Sequence, residues 1–104
     1  MPVSEDLSKE FAPRAMERHG LMLLRSADAA QYVERCAELG VAVLGIDAFL
    51  VTDDGMRPLM EHSVDFSVSH PPIDKDSVVY QKAIDFLQAR DHLDLWFEIV
   101  AGAE

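Results

Sequence analysis

Residues 41–51 read VAVLGIDAFLV, an apolar run broken only by Gly45 and Asp47. The run is short and rich in β-branched residues, with too few polar positions for a helix lying on a surface. Gly40 and the tetrad Thr52-Asp53-Asp54-Gly55 bound it, so it predicts a strand at the centre of a sheet. A strand of this kind needs neighbours on both edges and cover on at least one face, and the rest of the chain has to supply them.

The neighbours are readable. Asp54-Gly55 is a hairpin signal, because glycine tolerates the positive φ of a tight turn. Beyond it Met60, His62, Val64, Phe66 and Val68 alternate with Glu61, Ser63, Asp65 and Ser67, which predicts a half-exposed antiparallel strand with the first set inward. Pro58 near its start suggests edge or irregular pairing. A closing strand follows from Leu93, Leu95, Phe97, Ile99 and Ala101 alternating with Asp94, Trp96 and Glu98.

The cover is helical. Ser26 reads as an N-cap with Asp28 in the first turn. Ala29, Tyr32, Val33, Cys36 and Leu39 then recur at helical spacing before Gly40 ends the run. After the breaker His70-Pro71-Pro72, Asp76 or Ser77 can cap a second helix whose apolar face is Val79, Ala83, Ile84, Phe86 and Leu87. Residues 11–25 are ambiguous: composition favours helix, Pro13 fits a first turn and Gly20 an end, and residues 21–24 suit either a strand or a further helix. The order helix, strand, strand, helix, strand, with an extra element first, predicts an α+β fold. Its sheet is mainly antiparallel, with two or three helices packed on one face.

The chain has 104 residues, 49% of them hydrophobic, enough for one core and one domain over residues 1–104. Residues 1–10, polar and acidic, are the one stretch open to disorder. They lack the basic start and apolar run of a secretory signal, and no stretch approaches the roughly 18 apolar residues of a membrane span. A cytoplasmic location is the expectation. The single Cys36 rules out an intrachain disulfide and suits a reducing compartment.

The net charge is −10, divided unevenly: residues 1–40 hold five basic and seven acidic residues, residues 41–104 four and twelve. Such a field opposes binding to nucleic-acid phosphates or anionic lipid and favours a basic partner, although excess acid also serves solubility alone. If the apolar residues of the closing strand face the helices, then Asp94, Trp96 and Glu98 face outward. Glu61 and Asp65 of the hairpin strand do the same, and Asp47 is the odd carboxylate of the central strand. These six are the candidate partner-binding residues. Trp96 has two readings, packing under the N-terminal segment or anchoring a partner.

Signs of catalysis are weak. There is no Gly-x-Ser-x-Gly elbow, no phosphate-binding glycine loop and no nucleophile with a base at a recognisable spacing. Three groupings bring imidazole near carboxylate: His62 with Asp65, His70 with Asp74 and Asp76, and His92 with Asp94. None has a strict ligand spacing, and Asp53-Asp54-Gly55 is a turn before it is a calcium site. No catalytic residue, metal site or cofactor is assigned. Cys36 reads as a buried structural thiol, and Gly45 as a bulge or close packing contact.

The helix over residues 29–39, the strand GVAVLGIDAF, the acidic turn, Pro58, the strand end Val64-Asp65-Phe66, and Trp96-Phe97-Glu98-Ile99-Val100 after a second helix together resemble small immunity proteins of bacterial polymorphic toxin systems. The resemblance spans about residues 27–100, and Asp47 and Phe49 fit its Leu-Gly-x-Asp-x-Phe/Tyr pattern. It implies a non-catalytic cytosolic antidote that binds and neutralises a cognate toxin domain. An acidic surface would then complement a basic toxin. The competing readings are a small metal-dependent enzyme and a homodimeric ligand-binding or regulatory domain.

Overall fold

The structure, a computed structural model, describes residues 3–66 and 77–102. Its first element, helix α1 (Val3–Phe11), lies in the stretch open to disorder and buries Leu7 and Phe11. A 3-10 turn over Ala12–Arg14 has Pro13 near its start, where a missing N–H is harmless. The ambiguous segment then resolves into strands β1 (Met16–Arg18) and β2 (Leu21–Leu23), paired antiparallel. His19 (φ 53°) and Gly20 (φ 79°) form the two-residue loop between them. Positive φ at both positions is the type I′ signature that suits the twist of a hairpin, and histidine is among the residues that enter this region more readily. Gly20 thus turns a hairpin instead of ending a helix.

Helix α2 (Ser26–Leu39) buries Ala29, Ala30, Tyr32, Val33 and Cys36. Two details of the sequence reading change. Arg25 occupies the N-cap, its carbonyl accepting from Ala29 N at 2.8 Å, whereas the Ser26 hydroxyl donates to Leu87 O at 2.5 Å. Ser26 therefore ties the start of one helix to the end of another. Leu39 is exposed, one turn past the last core residue. Gly40 closes the helix in the left-handed conformation (φ 72°), and Val41 N donates to Cys36 O at 2.9 Å.

Strand β3 (Val43–Thr52) is central, as the apolar run requires. It pairs antiparallel with β4 (Gly55–Asp65) and with β5 (Trp96–Ala101) in the order β4-β3-β5. The β3–β4 loop is Asp53-Asp54, with the positive φ (151°) on Gly55 at the start of β4. Leu24 exchanges two backbone bonds with Phe97, of 2.8 and 2.7 Å, and so carries the β1–β2 hairpin to the outer edge of β5. Helix α3 (Ser77–Gln88) precedes β5 and lies against α2, and its Tyr80 hydroxyl donates to Val41 O.

All three helices share one core with one face of the sheet: Leu7 and Phe11, the α2 set, Tyr80, Ala83 and Leu87 meet Val43, Ile46, Ala48, Leu95 and Phe97. The fold is α+β. Phe11 and Tyr32 meet edge to face at 5.2 Å. Val68, the His70-Pro71-Pro72 breaker and the Asp76 cap lie outside the described residues.

Candidate functional site

The other face of the three-stranded sheet carries most of the candidate residues. Register places Phe49 beside Trp96 on β5 and Pro58 on β4. Asp47 faces Glu98, and Gly45 stands between Val100 and Asp65. Asp47, Glu98, Trp96 and Asp65 thus share one face, as the alternation of their strands implies. Phe49 is 8% exposed, closed in from both sides.

Trp96 is half-buried, and the Arg25 guanidinium lies over its ring at 4.2 Å from the centroid. Arg25 is held there by Asp94 at 2.7 Å and by the carbonyl of Leu95. A residue from the N-terminal half therefore covers Trp96, and part of the side chain is still accessible. Asp94 serves as the anchor of that arginine. Its side chain is 89% exposed, so the ion pair itself contributes little, and the stacking is the larger effect.

The β4 alternation fails in one place. Ile46 pairs with Val64 and Ala48 with Leu59, so residues 60–63 all stand opposite the single residue Asp47. This bulge corrects the inward set: Val64 and Phe66 do face the core, but Met60 is 79% exposed and Leu59 takes the core position. Glu61, exposed within the bulge, has no cross-strand partner to fix its face. Ser63 repairs the ladder. Its hydroxyl accepts from Ala48 N at 3.0 Å and donates to Leu59 O at 2.8 Å. Pro58 sits on this edge strand, where its missing N–H does least harm.

The bulge leaves a depression of about 470 Å³ on the outer face, walled by Leu44, Met60 and Val100, with Asp47, Asp65 and Ser63 at its polar side; Val64 also borders it but packs against the core. Gly45 forms part of its floor. A Cβ there would lie 2.9 Å from Val64 O, which is the close backbone approach that a lone strand glycine suggests.

Electrostatics mark the same place. Asp47 and Glu98 are like charges directly opposite on neighbouring strands, an arrangement that opposes pairing. Partial burial, and secondly the Asp47 carboxylate, raise the Glu98 pKa above the ordinary glutamate value. Neither carboxylate is in a salt bridge with a described arginine or lysine; the ion pairs among the described residues lie elsewhere, Arg14 with Asp28, Arg35 with Glu10 and Glu38, Arg25 with Asp94.

Cys36 is fully buried and burial pushes its thiol up to about 12, so it stays protonated at neutral pH and is no nucleophile. Tyr32 beside it is likewise raised to about 12, by burial first and by Cys36 second. Among the described residues no group of three or more His, Cys, Asp or Glu side chains is placed to hold a metal; His70, Asp74 and Asp76 lie outside them. No described helix is long and apolar enough to cross a membrane.

Sequence reasoning missed Met60, Leu44, Val100 and Ser63, which shape the depression, and Arg25, which roofs Trp96. Pro58 was the available hint of irregular pairing. Nothing in the spacing of residues 59–66 tells how many residues the bulge holds. Neither a protein-family model nor a curated protein matches this chain.

Proposed function

We propose that the chain is a non-catalytic binding protein of the immunity type, which neutralises a cognate toxin domain by presenting the acidic outer face of its sheet to a basic surface. The observation that carries this reading is the opposed Asp47–Glu98 pair. Two carboxylates in register, one with a raised pKa, lower the stability of the free protein, and a cation from a partner would relieve the repulsion. Trp96 next to the pair adds apolar contact area of the kind that anchors interfaces. The net charge of −10 would speed the encounter with a basic protein. The family resemblance supplies the toxin as partner and the cytosol as the place of action, where a lone buried cysteine stays reduced.

Co-expression with a toxin domain encoded beside this gene tests the reading. The expected result is restored growth and a stoichiometric complex that survives purification. Growth arrest despite abundant folded chain, with no complex recovered, would overturn it.

A further inference from the structure

The depression at the β4 bulge differs from a flat acidic patch in having one charged side and an apolar wall. Asp47 lies at the charged side, and Glu98, opposite it on β5, stands just outside the lining. Leu44, Met60 and Val100 form the wall, and Met60 projects into solvent. Lysine and arginine both carry methylene stems that pack on an apolar wall, so the wall calls for a long basic side chain without choosing between them. The pair of carboxylates chooses arginine, because a planar, weakly hydrated guanidinium offers five donors in a fixed fork where an ammonium is a compact, strongly hydrated point charge. Asp47 and Glu98 side chains start about 5 Å apart at Cβ in such a pairing, so one guanidinium can engage both carboxylates.

We propose that this depression is the receptor for a single arginine side chain of the protein partner, with the stem along Met60 and Val100 and the guanidinium at the rim, between Asp47 and Glu98. The proposal rests on the reading of the sheet face as the partner-binding surface. It narrows that surface to one anchor, with Trp96 and its Arg25 roof as the neighbouring contact. The rest of the acidic surface serves encounter, since long-range charge acts on association rate more than on the bound state.

The test uses the whole chain, labelled with 15N, and two capped hexapeptides as probes, one carrying three arginines and the other three lysines. At low salt the arginine peptide should move the amide resonances of Asp47, Met60, Glu98 and Val100. The lysine peptide should bind at least ~3-fold more weakly, because it lacks the planar fork. Asp47→Asn with Glu98→Gln should weaken arginine-peptide binding by about 10-fold, whereas Asp53→Asn with Asp54→Asn, the same change of charge at the hairpin tip, should alter it by less than about 2-fold. Met60→Lys replaces a solvent-exposed side chain, leaves the fold intact and should abolish the shifts by repulsion.

Equal losses from the two double variants, or indifference to Met60→Lys, would reduce the effect to net charge and overturn the proposal. Equal affinity for both peptides would remove the preference for arginine, and concentration-dependent shifts without peptide would give the face to a second copy of the chain. Each of these outcomes can occur while the toxin complex still forms, so the immunity reading and the arginine receptor fail separately.

Discussion

The two faces of the three-stranded sheet obey different rules. On the inner face Ile46, Ala48 and Phe97 are completely buried under the helices, and their identity is set by volume. On the outer face Phe49 and Trp96 stand beside Asp47 and Glu98, and like charges oppose each other across the β3–β5 ladder. The same strands supply both faces, so backbone pairing cannot explain the difference. The inner face has been fitted for folding. The outer face keeps a feature that folding alone would discard, and the proposed binding role rests on that contrast.

The contrast can be broken from the inside first. Phe97 is among the largest fully buried side chains, and Leu24 pairs with its backbone on the outer edge. Phe97→Ala should cost about 3–5 kcal/mol, as buried aromatic truncations do. Urea denaturation checks this, and a loss below about 1 kcal/mol would mean that the inner face is not close-packed. An intermediate effect is expected where the two faces meet. Gly45→Ala forces a methyl group against Val64 O, a backbone atom that cannot rotate away. The expected cost is about 1–3 kcal/mol, with disturbance of the bulge seen as amide shifts in residues 60–65.

How far the sequence carries the reader follows the same division. Residues 41–51 announced a central strand because an apolar run bounded by turn residues has few other options, and the Ser26–Leu39 helix and the closing strand were legible from periodicity. The α+β class followed. The β1–β2 hairpin was hidden because Ala15, Met16, Glu17 and Arg18 have good helix propensity, and only the pair His19-Gly20, both at positive φ, carried the turn. Tertiary pairing of Leu24 with Phe97 holds that hairpin against the sheet and outweighs local preference. Ser26 looked like a cap and instead satisfies a carbonyl near the end of α3, a partner 61 residues away that local sequence cannot reveal.

For the candidate site, alternation put Glu98 and Trp96 on the outer face, but the opposition of Asp47 to Glu98 depends on the β3–β5 register, which a one-residue slip would abolish. The depression depends on a bulge that places Met60 outward where a strict alternation places it inward.

The smallest effect expected is also the one that bears most directly on the outer face. The Glu98 pKa is raised in the folded protein, by partial burial first and by the Asp47 carboxylate second. Between its ordinary value and the raised one, the folded state holds a proton that the unfolded chain has released. Stability therefore falls as pH rises through that interval. Glutamine in place of Glu98 keeps the size and removes the titration, so Glu98→Gln should match the parent protein in acid and exceed it at neutral pH. The measurement is thermal unfolding of both proteins at pH 4 and pH 7, and the difference in melting temperature should grow with pH. A variant that loses ground at neutral pH would show that the Glu98 carboxylate makes a stabilising interaction in the free chain. The two faces would then obey the same rule after all.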